Sequence, residues 1–247
     1  MSALVALTER SLISAARDGG MIFEILSPAG YLAAFTVALH DLIDTGRMSY
    51  AQYLVPAVVI QSVIFIAVLA ASHSIRDHLL GLHDRLATLP IGAAVPIGAR
   101  MLATLIRAAL AASVAMLAGY GFGFRMTGGP GYALAFVFIT LLLCLAVALG
   151  ADALGSSTGG VQGANQLLTA PQLLLFMLST GIAPERTFPN WLRPYVRDQP
   201  VSQVAETLRG LATGQVAVGN VRASLAWCVG MVVVFGAIAL RLQRRAR

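Results

Sequence analysis

Lysine is absent from this 247-residue chain, so all 17 basic residues are arginine. The bias fits a GC-rich genome, yet it excludes a chemistry. Without lysine there is no G-x-x-x-x-G-K-[ST] phosphate loop, and the glycine-rich stretch LGSSTGGVQGANQ is no nucleotide cradle. Charge is scarce as well. Charged residues make up 11% of the chain and apolar ones 57%, against roughly 25% and 45–50% in soluble domains. That balance excludes an ordinary soluble domain and indicates an all-α integral membrane protein. The net charge of +6 is no nucleic-acid footprint, because the arginines stand at the ends of apolar runs rather than on one face. The two cysteines, Cys144 and Cys228, fall inside apolar runs and are expected as buried thiols, not as a disulfide. No A-x-A site follows a short apolar core near the start, so no cleavable signal peptide is expected.

What is present is a series of long apolar runs. A spanning helix needs about 20 mostly apolar residues. Six runs qualify: Met21–Leu39, Tyr53–Ala71, Met101–Phe122, Tyr132–Ala151, Leu167–Ala183 and Ala223–Leu240. An even number puts both termini on one side of the membrane. Arg10, Arg17, Arg76, Arg85, Arg100 and the tail Arg241, Arg244, Arg245 and Arg247 collect on that side, while the short loops opposite hold Arg47 and Arg125. The arginine excess makes the first side cytoplasmic. The chain reads as one transmembrane domain of the plasma membrane. Residues 1–20 form an interfacial helix and 21–183 the first five spans. Residues 184–221 form an external segment, and 222–247 the sixth span with a basic tail.

Ser72–Arg100 is a polar island between the second and third runs. Ile75, Leu79, Leu82, Leu86 and Leu89 recur at helical spacing, with Asp77, His78, Asp84 and Arg85 on the other face. Ser74 followed by Asp77 predicts the start of a separate helix, and Pro90 its end. His73, His78 and His83 are five apart, which turns successive rings about 140° around a helix. They do not converge on one metal ion, and no metal site is expected.

Three polar residues fall within or at the ends of spans: Glu24, Arg107 and Asp152. Such residues are functional candidates by default. Near the ends of their runs, however, they can also reach water or pair. Arg107 is expected to pair with Glu24 or with Asp152, and Arg100 to sit at the interface. The segment Pro184–Val221 is too long for a tight turn. Phe188, Trp191, Leu192, Tyr195 and Val196 suit a short helix at the headgroup level. Val201, Val204, Ala205 and Leu208 form a second amphipathic piece. Two short helices dipping into the outer leaflet would satisfy their own backbone; a plain surface loop is the alternative.

These features together resemble the permease subunits of ABC-2 type exporters, in particular the daunorubicin-resistance type of drug and lipid exporters. The resemblance spans nearly the whole chain. It rests on the N-terminal amphipathic stretch, the six runs, Pro28, the stretch with Gly81, Leu86, Leu89 and Pro90, and FPNWLRPYVRDQPVSQVAETLRGL. In that last stretch Pro189, Trp191, Pro200 and Arg209 match the family's proline, aromatic, proline, arginine pattern. Arg76-Asp77-His78 stands where the family has an acid-rich run, and Gln199 where asparagine is common.

The resemblance implies that Ser74–Pro90 is a coupling helix docking on a separate ATPase. Ile75, Arg76, Asp77, Leu79, Gly81, Leu82, Asp84, Arg85, Leu86 and Pro90 would be its docking residues. It implies a homodimer, or a pair with a paralogous permease, served by two ATPase subunits. ATP and Mg would bind the ATPases and no cofactor this chain, which is then not itself an enzyme. The expected function is export of an amphipathic drug or lipid. The alternative is a proton-coupled secondary transporter using Glu24, Arg107 and Asp152 as a relay. A membrane enzyme or scaffold is a third reading, without a nucleophile–base set, paired carboxylates or metal-ligand spacing to carry it.

Overall fold

A computed structural model of the chain describes residues 3–17, 20–39, 49–79, 92, 94–155 and 161–245, and among these residues every regular element is a helix. The amphipathic start folds as α1 (Ala3–Arg17). The apolar runs follow as α2 (Gly20–Leu39), α3 (Tyr50–Leu79), α4 (Ala94–Gly121) and α5 (Pro130–Gly155). Next come α6 (Val161–Met177), a 3-10 turn (Glu185–Thr187), α7 (Arg193–Asp198) and α8 (Pro200–Thr213). The long α9 (Val218–Arg245) closes the chain.

α3 is the axis around which the others pack. Leu54, Val55, Val59, Ile60, Val63 and Ile66 are all fully buried, on every side of the helix. A helix apolar all round has no face to give to water, so it is buried by neighbours. Here α2, α4, α5, α6 and α8 surround it.

α4 shows how the helices approach. Its buried stripe is Thr104, Arg107, Ala108, Ala111 and Ala115; Leu102, Ile106, Leu110 and Leu117 point outward. In lipid a large side chain gains little by turning inward, whereas small ones let helix backbones come close. Gly119 takes this to its limit, since a Cβ there would lie 2.6 Å from Cγ2 of Val55 on α3. The Sγ of Cys144 on α5 lies 3.7 Å from the carbonyl of Val63, and both cysteines are buried and unbridged.

Among the described residues five helical stretches are long and apolar enough to cross a membrane: Gly20–Ala38, Tyr50–Ser72, Val95–Gly121, Pro130–Leu154 and Val218–Leu242. The fifth expected span is shorter than its sequence run. Its apolar part is Leu168–Met177, and the chain leaves the helix at Met177 instead of continuing to Ala183. A second difference concerns Ser74. The helix carrying the second span does not stop at Ser72 and restart; α3 runs through Ser74 to Leu79. Polar side chains mark where a helix leaves an apolar medium, but they do not break its backbone hydrogen bonding. Ile75, expected on a docking face, is buried within this chain. Gly81, Leu82, Asp84, Arg85, Leu86 and Pro90 lie outside the described residues, as do the side chains of Arg76, Asp77 and Leu79.

Candidate functional site

The charged residues Glu24, Arg100, Arg107 and Asp152 of the helical bundle are paired. Nη1 of Arg107 on α4 donates to Oε2 of Glu24 on α2 at 3.0 Å, and both side chains are 5% exposed. One of the two pairings expected for Arg107 is therefore made. Asp152 has a different partner. Arg100, one turn-pair earlier on α4, grips it with both ends of its guanidinium: Nε to Oδ1 at 3.1 Å and Nη2 to Oδ2 at 2.8 Å. The planar fork matches the carboxylate, a geometry that lysine lacks. Residues 100 and 107 lie seven apart and share a face of α4. The face is thus tied to α2 by one arginine and to α5 by the other. Sequence reasoning left Arg100 at the interface; no local pattern connects residue 100 to residue 152.

The second constellation surrounds α8. Pro200 is its first helical residue, where the missing N–H costs no hydrogen bond. Its buried face includes Ser202, Ala205, Arg209 and Ala212, spaced by three, four and three. This face meets the stretch where α6 has come undone. Helix α6 ends with carbonyls that have no partner of their own, and the α8 face supplies donors to the backbone that follows. Nε2 of Gln199 donates to the carbonyl of Leu178 and to Oγ of Ser202 at 3.2 Å. The N–H of Thr180 donates to the same Oγ at 3.0 Å.

Arg209 completes the junction, at 3% exposure. Its Nη2 donates to the carbonyls of Thr180 at 2.7 Å and Gly181 at 3.0 Å. Its Nε donates to the carbonyl of Tyr53 on α3 at 3.0 Å, and its Nη1 to Oε1 of Glu206 at 2.8 Å. The guanidinium carbon lies 3.6 Å from the centre of the Tyr53 ring, whose hydroxyl donates to the Thr180 carbonyl. Four hydrogen bonds, one of them to a carboxylate, and an aromatic face offset the cost of burying the charge. The other end of α8 is sealed by the loop between α4 and α5. The N–H of Thr127 donates to the carbonyl of Ala212 at 2.8 Å, and Gly214 turns the chain at φ +75°. Thr207 and Ser224 share a hydrogen bond of 2.7 Å that joins α8 to α9.

Of the four residues matched by pattern in this region, only Arg209 is a buried tie. Pro189 opens a turn, accepting from the N–H of Leu192 at 2.9 Å, and Trp191 is 79% exposed. Tyr53 and the carbonyls of Thr180 and Gly181 carry no sequence signal, because their role comes from the side chain of one segment meeting the backbone of another, 28 to 156 positions away.

Residues 2–213 of the chain match the sequence model of the ABC-2 type transporter. The chain belongs to the ABC-2 type transporter family. It is 27% identical over 223 residues to a daunorubicin resistance ABC transporter permease protein, DrrB1, of Streptomyces coeruleorubidus, with 89% of this chain and 78% of that protein covered. It is 28% identical over 220 residues to the doxorubicin resistance ABC transporter permease protein DrrB of Mycobacterium tuberculosis, covering 85% of this chain and 76% of the relative. The probable doxorubicin resistance ABC transporter permease protein DrrC of the same organism is 28% identical over 235 residues, with 92% and 83% covered. An ABC-2 permease is a multi-pass membrane protein that works with ABC ATPase subunits, and the five long apolar helices suit that class.

Proposed function

We propose that this chain is the membrane subunit of an ATP-driven exporter, moving an amphipathic drug or lipid out of the cell across the plasma membrane. The family match over residues 2–213 carries the reading. Its relatives are named for resistance to daunorubicin and doxorubicin, which supports a drug as cargo. Free energy would arrive from separate ATPase subunits bound to the cytoplasmic segment Ser74–Pro90. α6 with the turn behind it would be a sixth, shortened crossing, and both termini would be cytoplasmic. α7 and α8 would form the external segment. Two such chains, identical or paralogous, would flank one pathway with two ATPases.

The pairing inside the bundle disfavours a proton relay. A relay carboxylate must exchange protons, whereas Glu24 and Asp152 each face an arginine at 3.0 Å or less in at least one contact. Capture of the tagged chain from its native membrane is expected to bring an ABC ATPase. Leu82→Asp or Leu86→Asp should abolish both that capture and ATP-driven export. Export that survives ATP depletion and stops when the proton gradient is collapsed would overturn the reading.

A further inference from the structure

The first turn of α3 is held to its surroundings by directed bonds. Gln52 pairs with the backbone of Arg125, in the loop between α4 and α5, in both directions. Its Nε2 donates to the Arg125 carbonyl at 2.9 Å, and its Oε1 accepts from the Arg125 N–H at 2.9 Å. Arg125 in turn caps α4, donating from Nη1 to the carbonyls of Tyr120 and Phe124, both at 2.8 Å. One residue on, Tyr53 accepts from Arg209 on its carbonyl and gives its hydroxyl to Thr180. The same loop reaches α8 through the Thr127 N–H and the Ala212 carbonyl. The first turn of α3, the loop behind α4, the turn behind α6 and α8 therefore form one hydrogen-bonded cap.

Below that turn the bonding of α3 changes. Pro56 has no N–H, so the Gln52 carbonyl lacks its helical donor. Between Pro56 and Ala71, among the described residues, a single hydrogen bond joins α3 to another helix. It is the 3.7 Å contact of Cys144 Sγ with the Val63 carbonyl. The rest is apolar packing of residues such as Val59, Ile60, Val63 and Ile66. Packed helices shift by sliding, whereas the cap would have to break its bonds.

Glycines flank the proline. Gly119 of α4 faces Val55, where an added Cβ would lie 2.6 Å from Cγ2, and Gly181 faces Ala57, where it would lie 3.2 Å from Cβ. Neither presents a side chain to interlock with α3. Five residues below Pro56, Oε1 of Gln61 is buried without a partner among the described residues. That cost is one which another position of the helix can relieve.

We propose that Pro56 is a hinge in α3, between a first turn fixed in the cap and a shaft, residues 57–79, that swings beneath it. Sharp bends in helices fall at such prolines. The use of the hinge rests on the exporter reading. Movement imposed on the shaft at its cytoplasmic end would be taken up at Pro56, while the cap stays whole as one body.

Deuterium exchange at single amides, on the full chain in phosphatidylcholine nanodiscs, tests the hinge without ATPase or cargo. In an α-helix the N–H groups of residues 57–59 donate four residues back, so their bonds span the proline. Ala57, Val58 and Val59 are at most 2% exposed, whereas Thr127 is exposed. Burial alone gives slower exchange at 57–59. A hinge gives the reverse, because exchange of a buried amide follows local opening. Residues 57–59 are expected to exchange about tenfold faster than Thr127 and Thr180, whose N–H groups are bonded within the cap. Pro56→Ala restores the missing donor and should slow residues 57–59 about fivefold. It should leave residues 63–66 unchanged and not lower the thermal melt. Exchange at 57–59 equal to or slower than in the cap overturns the proposal, and that comparison needs no variant. So does an unchanged rate there in Pro56→Ala, or a slowing that extends equally to residues 63–66. ATPase capture is measured separately, so failure of the hinge and failure of the exporter reading are distinct results.

Discussion

Glu24 and Arg107 meet 3.0 Å apart with both side chains buried, so each is the other's ion-pair partner inside the bundle. Removing one partner leaves an uncompensated charge, at a cost of about 3–5 kcal/mol, whereas replacing both by apolar residues of similar size is often neutral. Glu24→Gln and Arg107→Leu are each expected to lower folded yield and thermal stability. The Glu24→Leu/Arg107→Leu double variant should recover most of that loss and keep ATP-driven export. A double variant that folds but cannot transport would mean that the charges act in the cycle itself. Arg209 gives a contrasting expectation. Arg209→Lys keeps the charge but cannot reach four acceptors at fixed angles. It should destabilise the junction of α8 with α3, read as faster proteolysis within residues 178–200, and Arg209→Ala should do so more strongly.

At the scale of elements, close approach is the testable quantity. Gly119→Val should clash with Val55 and cost about 1–3 kcal/mol, the usual range for overpacking. Gly30→Ala on α2, with nothing within 4 Å of its added Cβ, should be neutral or slightly stabilising; a thermal melt of both variants checks this. The existence of these helices was legible in the sequence because an apolar run of twenty residues has few other ways to satisfy its backbone in lipid. Their ends were less legible. α3 overshoots its apolar run by passing through His73 and Ser74, because hydropathy reports the medium and not the hydrogen-bond ladder. α6 undershoots its run because the Leu178, Thr180 and Gly181 carbonyls find donors on Gln199, Tyr53 and Arg209. Those donors lie far off in sequence, and nothing local announces them. The same holds for Arg100 and Asp152, whereas the Arg107 to Glu24 pairing was within reach, since few buried acids were available to that arginine.

For the whole molecule, orientation is the first question, and the two native cysteines make it answerable, since both are buried. Trp191→Cys, at a 79% exposed position, should react with a membrane-impermeant maleimide on intact cells. Glu9→Cys, on the exposed face of α1, should react only after the cells are opened. The reverse pattern would invert the topology and with it the direction of transport. α3 gives the molecule a further property. At about 1.5 Å per residue, its 30 residues make a rod of roughly 45 Å, longer than the ~30 Å hydrocarbon core. Its start holds Tyr53, which Arg209 grips, and its last turn leads into the segment proposed to dock on an ATPase. The helix runs on between the two, with Pro56 near its start as an interior residue that donates no backbone hydrogen bond. From Pro56 to Leu79 force would therefore travel as thrust along a single member, and Pro56 is the place where stroke would be lost.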